Sequence, residues 1–176
     1  MTGPGRLRDA AARGRALAAT SLLGACLVAA CGPAERGAAG ITVDGAGRPV
    51  VLLIGCGSPL GRTALLTVDP ASQQRSFAGE WTPAPVGPSD LTLDVYAPGS
   101  SWRVEQPVTG LQEGTLYEVG ALLGATGDGR QTTDAQFTAA DLRALRPGQV
   151  LTGAKDTGTP QKPVPEASFR AAACQS

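Results

Sequence analysis

The chain of 176 residues contains no histidine, and that shapes every chemical reading of it. Without imidazole there is no Ser-His-Asp or Cys-His arrangement and no imidazole-based metal site. A lysine can activate a serine, and Ser58, Ser89 and Ser100 are available beside only two lysines, Lys155 and Lys162. Both lysines fall in a proline-containing stretch and read as solvated charges. Asp90 and Asp94 share one face of an expected strand, but a glycosidase pair is defined by its separation in space, which sequence spacing does not give. Asp128 and Asp134 flank an expected hairpin and read as turn formers. The segment Val50-Val51-Leu52-Leu53-Ile54-Gly55-Cys56-Gly57-Ser58-Pro59-Leu60-Gly61-Arg62-Thr63 follows a strand with glycines, as nucleotide sites do. It lacks the third glycine of a dinucleotide fingerprint, since position 60 is Leu. It also lacks the lysine of a phosphate loop, since position 62 is Arg. A glycine-rich β-turn is the better reading. No catalytic residue, metal ligand set, cofactor or nucleotide site is expected, and the chain reads as a non-enzyme.

Four cysteines remain: Cys26, Cys31, Cys56 and Cys174. The first two close a leader in which Arg6, Arg8, Arg13 and Arg15 precede an apolar stretch, Ala16 to Ala30. A hydrocarbon core of about 30 Å needs about 20 residues of helix, so this stretch is too short to span it. Leu27-Val28-Ala29-Ala30-Cys31-Gly32 resembles a bacterial lipobox, and the whole chain resembles small bacterial lipoproteins. The resemblance implies cleavage after residue 30 and lipid attachment at Cys31. The protein is then anchored on the extracytoplasmic face of the cell membrane. Leu23-Gly24-Ala25-Cys26 has the same spacing, but cleavage there would leave an apolar tail on the mature chain. With the leader gone, Cys56 and Cys174 are left in an oxidising compartment, where a pair is expected; two unpaired thiols are the alternative.

Residues 31–176 carry a net charge of −3 with no basic cluster, which argues against nucleic-acid binding. Expected partners are the membrane, through the lipid, and an envelope protein or polysaccharide.

Three regions carry these groups. Residues 31–40, rich in Gly and Ala, are expected to form a flexible tether; 41–152 form one β domain; and 153–176, with Pro160, Pro163 and Pro165, form an irregular strap that Cys174 pins back. Runs of β-branched and aromatic residues are separated by Gly, Pro and Asp turns. Strands are expected at Pro49–Ile54, Ala64–Val68, Gln74–Trp81 (a weaker edge strand), around Leu91-Leu93-Val95, at Trp102–Val104, through Tyr117-Val119-Ala121-Leu123, and at Gln131–Phe137. The alternation places Leu91, Leu93, Val95, Trp102 and Val104 on buried faces. Gly127-Asp128-Gly129 is expected to turn a hairpin. Thr138 lies three residues before Asp141, a helix start that predicts about two turns from Ala139 to Arg146.

Leu111-Gln112-Glu113-Gly114-Thr115-Leu116-Tyr117 resembles the corner before strand F of fibronectin type III and related immunoglobulin-like domains. In those domains the tyrosine hydroxyl bonds back to the upstream backbone. The resemblance implies an all-β immunoglobulin/fibronectin III-like β-sandwich of about seven strands, with one short helix near the C-terminal end and Leu111, Gly114 and Tyr117 as its structural corner. The expected role is a non-catalytic binding or structural module of the cell envelope. The alternatives are an extracytoplasmic hydrolase using carboxylates on cell-wall or carbohydrate substrates, and a solute-binding sensor.

Overall fold

Small residues dominate the first strand, β1 (Ala34–Val43), which turns through Asp44 into the apolar β2 (Pro49–Ile54). Asp44 closes that turn by accepting hydrogen bonds at one carboxylate oxygen from the amides of Ala46 and Arg48, at 2.8 and 2.9 Å. This is a computed structural model, and it describes residues 34–84, 87–124, 130–155 and 161–175. The chain divides into two compact units, Met1–Cys31 and Gly32–Ser176, and everything described belongs to the second. The expected leader with Cys26 and Cys31, and the expected hairpin turn at Gly127-Asp128-Gly129, lie outside the described residues.

The protein is mostly β. After β1 and β2 come β3 (Leu60–Val68), β4 (Arg75–Pro83), β5 (Asp90–Asp94), β6 (Trp102–Gln106), β7 (Leu116–Leu123), β8 (Arg130–Thr133) and β9 (Ala135–Phe137). They form one sheet in the order β5-β2-β1-β8-β7-β3-β4-β6, with β9 also on β7. Neighbours are antiparallel except β1 and β8, which run parallel. The sheet curls into a nearly closed barrel, and its two edge strands meet where the Trp102 indole N–H of β6 donates to the Thr92 carbonyl of β5 at 3.1 Å. Nine strands thus replace the expected seven or so. The added ones are β1, hidden by its small residues, and the division of Gln131–Phe137 into β8 and β9, which both pair with β7, β8 alone reaching β1 as well.

Period-two alternation decides what is inside. Tyr117, Val119, Ala121 and Leu123 of β7 are all buried, as are Leu93, Val95 and Trp102. Together with Ile41, Leu65, Trp81 and Phe137 they fill the barrel. Val104 departs from the expectation and is 42% exposed. It sits on the edge strand β6, which among the described residues is in ladder pairing with β4 alone. The same topology corrects the edge assignment of Gln74–Trp81: β4 lies between β3 and β6, and β6 is the edge.

The tether expectation is also corrected. Residues 34–40 form most of β1, paired with β8 and then with β2. The two glycines among them serve close approach instead of flexibility. A Cβ on Gly40 would lie 2.5 Å from Val150 Cγ1, and one on Gly37 would lie 2.0 Å from the Ile54 carbonyl oxygen.

Helix α1 (Ala139–Ala144) begins with a reciprocal capping box. Asp141 N–H donates to the Thr138 hydroxyl at 3.3 Å, and Thr138 N–H donates to the Asp141 carboxylate at 2.8 Å. The chain then lies along β1, with Ile41 and Leu151 exchanging two backbone hydrogen bonds of 2.9 Å. The expected irregular strap is instead partly regular. Its β11 (Val164–Pro165) pairs with β10 (Gln149–Val150), and α2 (Glu166–Ala172) follows. Phe169 and Ala173, four residues apart, pack on Ala38, Leu52, Ile54 and Val150, a second apolar cluster on the outer side of β1 and β2.

Candidate functional site

The outer faces of β4, β3, β7 and β9 carry a row of side chains that cross-strand register places side by side. Phe77 pairs with Leu66, Leu66 with Glu118, and Glu118 with Gln136. The row runs from an aromatic ring that is 50% exposed to a carboxylate that is almost fully buried. Arg62 places its guanidinium 5.6 Å from the Phe77 ring centroid, a cation–π distance. Two inter-strand pairs along, on the same face, Ala64 faces Gly120. A Cβ on Gly120 would lie 1.9 Å from an Asp134 carboxylate oxygen, so a side chain there would displace that carboxylate.

All of these but Gln136 line a groove of about 420 Å³. A second hollow of about 370 Å³ shares Arg75, Glu118 and Asp134 with it and continues toward Gln136 and Gly153. The combined surface is apolar at the Phe77 end and polar at the Glu118 end.

Glu118 is held by a two-pronged ion pair. Arg75 Nε donates to one oxygen at 2.7 Å and a terminal nitrogen donates to the other at 3.1 Å. Gln136 Nε2 adds a third donor at 2.7 Å. Burial pushes the Glu118 carboxyl up, but the hydrogen bonds from Arg75 and Gln136, with the Arg75 charge, outweigh it and leave the group below its ordinary value. Asp141 follows the same logic: burial raises it, and hydrogen bonds from Lys155 and Thr138 more than compensate.

Because both carboxyls titrate lower in the folded chain than in the unfolded one, their stabilisation is present above the ordinary values of 4.5 and 3.8. It is lost as pH falls through the folded values. The urea midpoint is therefore expected to begin falling below about pH 4.5, with a smaller fall in Glu118→Gln. Equal acid sensitivity in both proteins would contradict the assignment to Glu118.

No protein-family model, curated protein or solved structure matches this chain.

Several residues singled out by sequence converge in the fold. Cys56 and Cys174 are joined in a disulfide across 118 residues, with their Cα atoms 5.5 Å apart. Leu111 packs against the core, Gly114 turns the chain at φ +73°, and the Tyr117 hydroxyl accepts a hydrogen bond from Gln112 N–H at 2.8 Å. The Tyr117 ring stacks on Phe137 with centroids 5.8 Å apart. Gly55 to Ser58 form a tight turn that leads into a strand, β3, and not into a helix.

Lys155 corrects its reading as a solvated charge. Its ammonium lies 2.6 Å from both Asp141 oxygens, because 149–155 is ordered along β1 and β9. Lys162 is exposed. Asp94 caps the amides of Tyr96 and Ala97 and pairs with Arg48, and so works as a turn former. Sequence reading missed Arg75, Phe77, Glu118 and Gln136 as a group. Their outward positions were legible, but their convergence comes from three strands and left no local signal.

Proposed function

We propose that this chain is a lipid-anchored, extracytoplasmic module of the cell envelope that binds a partner without catalysis, on a domain of immunoglobulin/fibronectin III type. The observation that carries the location is the Cys56–Cys174 disulfide, since such bonds persist in oxidising compartments and are rare in the cytosol. Cys31 supplies the anchor in this reading.

Support for the domain type comes from the Tyr117 hydroxyl bond to Gln112 and from three pairings. β2 lies on β5, β3 on β7, and β1 runs parallel to the late strand β8. Support for binding comes from the groove. It offers an exposed aromatic, a stacked guanidinium and a fixed carboxylate, the mixture of apolar lining and few placed polar groups that ligand sites use.

The hydrolase alternative draws on Glu118 and Asp134 lining the same groove. A glycosidase acid, however, needs a raised carboxyl, and Glu118 is lowered and already bonded to three donors. A solute sensor would use a cavity inside the barrel, where Trp81, Phe137 and Leu65 instead fill the interior.

The test is a photo-reactive amino acid at position 77 in cells, compared with one at exposed position 146. A discrete crosslinked product from position 77 in native membranes, absent from 146, is the expected result. Equal, diffuse crosslinking from both positions would rule out the groove as the binding surface.

A further inference from the structure

The disulfide joins two unlike sites. Cys174 is exposed just beyond α2, whereas Cys56 is half-buried in the turn between β2 and β3. Cys56 holds a left-handed backbone at φ +50°, a region L residues other than Asn and Asp seldom occupy. Helix α2 has seven residues and no side-chain cap at its Pro165 start. A helix so short does not persist in water without tertiary support. Its support is Phe169 and Ala173, with Val164, on the outer cluster, a two-residue pairing of β11 with β10, the Glu166 N–H donated to the Gly148 carbonyl at 2.9 Å, and the disulfide.

We propose that Cys174 is a site of thiol–disulfide exchange, and that reduction there releases the α2 strap while the main sheet stays folded. A thiolate of a dithiol reductant attacks Cys174 Sγ, the more accessible sulfur. The S–S bond breaks, and Cys56 leaves as a thiolate that takes a proton from water. The reductant's second thiolate then resolves the mixed disulfide, freeing Cys174 as a thiol. Two electrons pass to this chain, and the reductant is left as a disulfide. Once free, the strap uncovers the apolar surface of Ala38, Leu52, Ile54 and Val150. The chemistry is independent of the lipid anchor; only the expectation that the natural reductant is an envelope dithiol protein rests on the proposed location.

The experiment treats the purified, oxidised full chain with dithiothreitol under native conditions. Free thiols are counted by alkylation and mass, and amide hydrogen exchange is followed along the chain. The expected result is two new thiols and fast exchange at 166–173, with residual protection there of no more than about 100-fold, the equivalent of burying one aromatic side chain. Exchange in β3 and β7 should be unchanged. Cys174→Ser should show the same exchange pattern without reductant, with Cys56 as the one thiol freed. Three results would each overturn the proposal: no thiols released under native conditions, a strap that stays protected after both thiols are counted, or loss of protection throughout the sheet.

Discussion

Alanine at Gly37 is expected to destabilise the fold by about 3 kcal/mol or more, against about 1 kcal/mol for alanine at Gly57. The two glycines have similar backbones, φ +94° and φ +82°, so each substitution incurs the strain of a left-handed L residue. They differ in surroundings. A Cβ at Gly57 meets nothing within 4 Å, whereas at Gly37 it would sit 2.0 Å from the Ile54 carbonyl oxygen. That neighbour is backbone, so relief requires β1 to move away from β2. Gly37 also lies at the register shift of the β1–β8 ladder, between Glu35 and Ala38, a bulge position that favours glycine. The difference between the variants therefore isolates the close approach from the backbone strain. Denaturant midpoints measure both. Equal, small losses would mean that residues 34–40 are the loose tether their composition resembles.

That position illustrates where the sequence is readable and where it is not. Elements defined by their own pattern were legible: Pro49–Ile54 matches β2 residue for residue, and Thr138 with Asp141 marks the start of α1 through a bond made within four residues. Tyr117 and Gln112 are likewise close in sequence. What escaped depends on distant partners. Gly37 and Gly40 look like linker glycines until Ile54 and Val150 are placed against them. Glu118 looks like a solvent-facing strand residue until Arg75 and Gln136, 43 and 18 residues away, close over it. Helix α2 has one strong apolar position, Phe169, and starts after a proline without a capping side chain, so nothing local distinguishes it from an irregular strap. The meeting of β5 and β6 through Trp102 is of the same kind, since only the curl of the whole sheet brings those edges together.

Loss of Cys31 is expected to have the largest effect on the protein's behaviour. Among the described residues no helix is long and apolar enough to cross a membrane, and the apolar stretch Ala16 to Ala30 is shorter than a span requires. With lipid at Cys31 as the proposed anchor, membrane attachment depends on that one residue. A single acyl chain binds only marginally and two hold stably, each buried methylene adding about 0.8 kcal/mol. Removing the acceptor should thus abolish attachment instead of weakening it. The substitution leaves the disulfide, groove and strap intact, because Cys31 precedes β1.

The most direct measurement is palmitate labelling with membrane fractionation of the natural chain, Cys31→Ser and Cys26→Ser. Anchoring through Cys31 predicts label and salt-resistant membrane retention for the natural chain and Cys26→Ser, with neither for Cys31→Ser. A Cys31→Ser protein that remains tightly bound to membranes, or a label that is lost only in Cys26→Ser, would contradict it.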